Sequence, residues 1–154
     1  MIQRSFMLRT ALAGAVLALA GCGAMSSMSS MASGTDTYEA TLSGAQEVPP
    51  NMSTGTGKAE VQVDPKTYKI TWKVTHSGLS GPATAAHIHG PAAPGSNAGV
   101  VIPFKGDPNA QPVTGEATLT PAQYADLAAG LYYVNFHTAK SPAGEIRGQL
   151  KKRM

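Results

Sequence analysis

The 154-residue chain is 42% hydrophobic and 14% charged, with twelve Lys and Arg against nine Asp and Glu, and one cysteine. That is enough apolar material for one core of ordinary size. A single thiol excludes an internal disulfide and a multi-thiolate metal site, and the lack of a basic stripe interleaved with aromatics points away from nucleic acid.

Arg4 and Arg9 flank the start of an apolar run over residues 10–20, which has the length of a secretory segment and is too short for a membrane span. Leu19-Ala20-Gly21-Cys22 then resembles a bacterial lipoprotein signal. The resemblance implies that residues 1–21 are a signal peptide and that Cys22 is lipidated and becomes the mature N-terminus, with enough acyl chain for stable anchoring. Gly23 after the cysteine resembles sorting to the outer membrane, periplasm-facing or at the surface; an ordinary signal peptide with a chance cysteine is the alternative. Without Arg4 and Arg9, ten basic residues face nine acidic ones, so the exported part is nearly neutral. Residues 22–36 are Ser/Met/Gly-rich without apolar period and read as a flexible tether. Met25, Met28 and Met31 fit a bland linker better than a thioether tract for copper.

One domain is expected over 37–150. Tyr38, Ala40 and Leu42 alternate with polar residues in a first strand, and Pro49-Pro50 place the next segment in a rim loop. Residues 59–63 and 68–74 alternate around a turn at Asp64-Pro65-Lys66-Thr67, which predicts a hairpin with Tyr68, Ile70, Trp72 and Val74 inward and the other face in water. His76 is in phase with that inner face and reads as a strand-end residue. The next strand is Ala86-His87-Ile88-His89. An uncharged Pro/Ala/Gly/Ser loop over 91–99 leads to a short edge strand, Val100 to Phe104, containing Pro103. Residues 115–119 are a further strand. Thr120-Pro121-Ala122-Gln123 is a capping box with proline at the first helical position, predicting one short helix near 121–129 with Tyr124, Leu127 and Ala128 inward and Gly130 as its stop. A last hairpin pairs 131–138 with 145–150, turning at Ser141 to Gly144, and 151–154 is a basic, solvated tail. About seven or eight short antiparallel strands with one helix describe an all-β, Greek-key-like β-sandwich.

The residues from Leu42 to Pro50 (LSGAQEVPP), Ala86-His87-Ile88-His89-Gly90-Pro91-Ala92, Leu119-Thr120-Pro121-Ala122-Gln123, Gly130 to Thr138 and Pro142 to Gln149 resemble, in order, the motifs of a CHRD (chordin-type) domain over about 37–150. The resemblance implies an all-β sandwich in an exported binding module, and brings no catalytic residues. It leaves another envelope or extracellular protein as one kind of partner. Gly78-Leu79 followed by His87-Ile88-His89-Gly90 is similar, more weakly, to the copper strand of copper/zinc superoxide dismutase. That similarity implies a copper-dependent redox enzyme. Its zinc site, its bridging histidine and its disulfide have no counterpart here, because the chain holds four histidines and residues 90–106 include neither His nor Asp.

Residues two apart on a strand share a face, so His87 and His89 lie together, and His137 has the matching outward phase in its own strand. Three imidazoles form a site for copper or zinc, with copper favoured by affinity order, if their strands are neighbours. Ring nitrogens about 3–3.5 Å apart are then required, given bonds of roughly 2.0–2.1 Å. Otherwise they are polar residues on a sheet face. Glu145 and Arg147, two apart, are expected to form an exposed ion pair. No nucleophile lies in a catalytic context, so binding is the expected role and enzymatic activity the alternative.

Overall fold

A computed structural model describes residues 34–154. The signal peptide, Cys22 and all but the end of the tether lie outside the described residues. Nine strands, β1 (Asp36–Ser43), β2 (Thr56–Val63), β3 (Lys69–Ser77), β4 (Ala83–His89), β5 (Val100–Pro103), β6 (Val113–Thr118), β7 (Tyr133–Thr138), β8 (Ile146–Gln149) and β9 (Lys151–Lys152), form one sheet with the helix α1 (Pro121–Ala128) beside it. The order is β5-β4-β7-β8-β1-β2-β3-β6, with β9 paired to β1, and every pairing is antiparallel. Between β8 and β1 the ladder thins to the single pair Ser43↔Arg147, and there the sheet folds over, bringing its two halves face to face in a nearly closed, sandwich-like barrel.

The core lies between the halves. Trp72 of β3 stacks on Phe104, just past β5, with ring centroids 4.7 Å apart, and Phe136 of β7 meets both Phe104 and the His76 ring. Tyr38, Leu42, Val61, Ile70, Val74, Ile88, Val134, Phe136 and Ile146 are fully buried, so the alternation in β1, β2 and β3 selects the inner face as expected. Gly115 is required on β6 because the Trp72 ring occupies the space a Cβ would take. In α1 the capping box is complete: Thr120 Oγ1 accepts from the Gln123 amide at 3.2 Å while the Thr120 amide donates to Gln123 Oε1 at 2.8 Å. Leu127 anchors the helix, whereas Ala128, expected inward, is exposed, since two turns bury only a narrow stripe.

Three expectations change. The basic tail is a ninth strand: β9 pairs with β1, Lys152 reaches Asp36 at 2.9 Å and Arg153 reaches Glu39 at 2.8 Å, although the side chains stay in water. The outward face of β7 and β8 is not wet, because the 44–50 segment and the 91–99 loop lie over it, leaving Tyr133, Asn135, Arg147 and Gln149 at most 8% exposed. Glu145 and Arg147 are buried and do not pair with each other. Gly144, at φ +142, breaks the strand ahead of them, and Glu145 turns to a separate set of donors.

Candidate metal centre

β4 and β7 are direct neighbours, and their register sets Ala85 opposite His137, His87 opposite Asn135 and His89 opposite Tyr133. His137 therefore sits diagonally across from His87 on the same face, and the three histidines converge. One ring nitrogen from each lies within 4.8 Å of the others, and His87 Nδ1 is 3.0 Å from His137 Nε2. Closing the longer separations to the span of a shared ion needs side-chain rotations that move the nitrogens by about 1 Å.

Backbone carbonyls determine which nitrogens are presented. His89 Nδ1 donates to Ala98 O at 3.1 Å and His137 Nδ1 donates to Pro142 O at 3.0 Å, so in each ring the lone pair is on Nε2. His137 Nε2 then accepts the His87 Nδ1 proton. His89 Nε2 is buried with no hydrogen-bond partner, an acceptor aimed into the cluster. Imidazoles tied through one nitrogen to a carbonyl, with the other free, are the arrangement metal-binding histidines use. Burial, with the neighbouring imidazoles His137 and His89 next, pushes His87 down to about 4, and burial also lowers His89 and His137. All three are neutral at physiological pH, the form that binds metal. Among the described residues no carboxylate joins the group. The fourth histidine stays apart: His76 Nε2 lies 2.9 Å from Pro108 O, and its ring packs on core-facing Phe136.

The covered face behind the histidines was not foreseen from the sequence. His89 stacks on Tyr133 with ring centroids 5.0 Å apart and planes 5° apart, and the Arg147 guanidinium lies 3.4 Å from the centroid of the same Tyr133 ring. Tyr133 Oη accepts from the Ala98 amide at 3.1 Å, while Arg147 donates to Ser96 O at 2.8 Å and Asn97 Oδ1 at 3.0 Å. These bonds fix the loop whose Ala98 carbonyl orients His89. Asn135 donates to Glu47 Oε1 at 2.7 Å, and burial pushes the Glu47 carboxyl up to about 7. A glutamate before Val48-Pro49-Pro50 and an arginine two after Glu145 were visible, but nothing local to either segment indicates that they share one buried layer.

Glu145 organises the other end of this half. Its carboxylate accepts from Ser53 Oγ at 2.7 Å, from the Ser80 amide at 2.7 Å and Ser80 Oγ at 2.6 Å, and from Thr138 Oγ1. Burial raises its pKa, but these donors outweigh burial and hold it down to about 2.

No curated protein and no solved structure matches the chain. A family model described as CHRD domain matches residues 38–150. The match begins at Tyr38 and ends at Leu150, both fully buried, and spans all three histidines, Glu47, Glu145 and Arg147. The chain therefore belongs to the CHRD domain family, and its matched segment is the β-sandwich that carries the histidine cluster.

Proposed function

We propose that this protein is an exported, lipid-anchored CHRD binding module that holds a transition-metal ion, with copper favoured, at His87, His89 and His137. The observation that carries the reading is the convergence of three neutral imidazoles, two of them tautomer-locked by Ala98 and Pro142 carbonyls, around a buried and unpartnered His89 Nε2. An all-nitrogen donor set suits copper and zinc, and the affinity order favours copper. Three protein ligands leave a coordination position for water or for a group from another envelope or extracellular protein.

Titrating Cu(II) and Zn(II) into the purified full chain by calorimetry tests this. One equivalent bound by wild type and none by His89→Ala is expected, and no heat with wild type overturns the metal reading and leaves a protein-binding module. The open position also keeps a copper-dependent redox enzyme in view; stoichiometric copper without superoxide or oxidase turnover removes it. Anchoring at Cys22 is tested separately, since Cys22→Ser is expected to shift the protein from the membrane to the soluble fraction.

A further inference from the structure

We propose that the three-histidine site favours monovalent over divalent copper, and that Arg147 is the positioning residue that sets this preference. The inference rests on the copper reading above and deepens it by naming the oxidation state.

Local charge separates the two states. Imidazole is a borderline donor that takes copper in either state, so surroundings decide between them. Divalent copper calls for negative charge nearby, and the cluster has none: its donors are three neutral rings, and no carboxylate among the described residues joins them. A fixed positive charge stands one aromatic ring away from His89. Arg147 is 2% exposed, and among the described residues no carboxylate lies within ion-pair distance of it. Its guanidinium is held by the neutral acceptors Ser96 O and Asn97 Oδ1. It lies against the Tyr133 ring, and His89 stacks on that ring too. Because β7 runs between β4 and β8, the guanidinium and the imidazole are on opposite sides of the tyrosine.

A unit charge on the order of 10 Å from the ion, at an effective dielectric of about 20, disfavours the extra charge of divalent copper by roughly tenfold in affinity. Two acidic groups share the half-sheet. Glu47 bonds to Asn135 and not to Arg147, and its carboxyl is largely protonated at pH 6. Glu145 is ionised and keeps its charge among the neutral donors Ser53, Ser80 and Thr138; that charge is the same in wild type and in the Arg147 variants, so the change in ratio between them reads Arg147 alone.

The test uses the purified full chain in detergent at pH 6. Cu(I) affinity is measured under reductant by competition with bicinchoninate, and Cu(II) affinity by competition with glycine. The quantity read is the ratio of the two. A loosened loop weakens both states together, whereas a lost charge moves the ratio. Wild type is expected to bind Cu(I) more tightly, Arg147→Gln to cut that ratio about tenfold, and Arg147→Lys to keep it. Wild type binding Cu(II) as tightly as Cu(I) overturns the proposal and leaves the copper reading intact, as does a folded, copper-binding Arg147→Gln with an unchanged ratio. Binding of neither state overturns both. If Arg147→Gln does not fold, the wild-type order and the Arg147→Lys ratio decide.

Discussion

Replacing Glu145 by glutamine isolates the energy of one buried carboxylate. The group is fully buried, has no cation against it among the described residues, and is held by four hydrogen bonds from Ser53, Ser80 and Thr138. Its pKa is about 2 in the fold against an ordinary value of 4.5. Ionised Glu145 therefore stabilises the fold, fully at pH above 4.5 and progressively less as pH falls toward 2. The difference corresponds to about 3 kcal/mol at pH 7 and about 1.4 kcal/mol at pH 3. Glutamine preserves the shape but turns an NH2 toward groups that donate, and the Ser80 amide cannot reverse its role. Glu145→Gln is expected to lower Tm by about 10 °C at pH 7, with less than half that effect at pH 3, as read by thermal melts followed by circular dichroism. Equal melting temperatures at pH 7, or a gap that does not narrow on acidification, would refute the assignment of this energy to charge-assisted hydrogen bonds.

In copper titrations, His137→Ala is expected to lower affinity roughly a hundredfold or more, as loss of one ligand of three implies, whereas His76→Ala, across the sheet, leaves it unchanged. Gly144→Ala is expected to cost on the order of 1–3 kcal/mol in urea denaturation, since the residue sits at φ +142 and its new Cβ would come 2.6 Å from Asn135 Nδ2 and 2.7 Å from Glu47 Oε1. Ending the chain after Leu150 removes β9 and the exposed pairs Lys152–Asp36 and Arg153–Glu39. Because such pairs contribute only about 0.2–1 kcal/mol each, a modest loss that shrinks in high salt is expected.

Period-two alternation was sufficient for β1, β2 and β3, where each apolar residue faces the core and each neighbour faces water. It also placed His87, His89 and His137 on one face. Their convergence needed one further fact, that β4 and β7 are neighbours although some forty residues apart, which alternation does not encode. The same reasoning failed for Glu145 and Arg147 because it took the outward face to be solvent. The cover on that face is supplied by segments far away in sequence, with Asn97 donating to Val48 O at 2.9 Å to join the two covering loops. A burial pattern imposed by loops leaves no periodic mark on the strand beneath, so the layer containing Tyr133, Asn135, Glu47 and Arg147 could not be read from any single stretch.

The two buried glutamates make opposite demands on pH, and the opposition is measurable. Glu145 has four donors and its pKa falls; Glu47 has the single Asn135 donor, and burial prevails, raising it from 4.5 to about 7. A raised acid contributes stability that is full below 4.5 and is lost as pH rises toward 7. His87, lowered from 6.5 to about 4, does the reverse, contributing fully above 6.5 and losing stability as pH falls toward 4. Between about 4.5 and 6.5 the Glu47 slope opposes that of His87, which His89 and His137 join because burial lowers them too, so wild-type stability is expected to rise less steeply with pH there than the histidines alone would make it, and to fall further below 4.5 once Glu145 begins to lose its contribution. Glu47→Gln removes one of the opposing titrations while keeping an acceptor for Asn135. The metal-free variant should then show the histidine contribution alone, with its urea midpoint rising from pH 4.5 to 6.5. A variant whose midpoint runs parallel to wild type across that window would mean that Glu47 does not titrate in the fold, and that the polar layer behind the histidines stays charged.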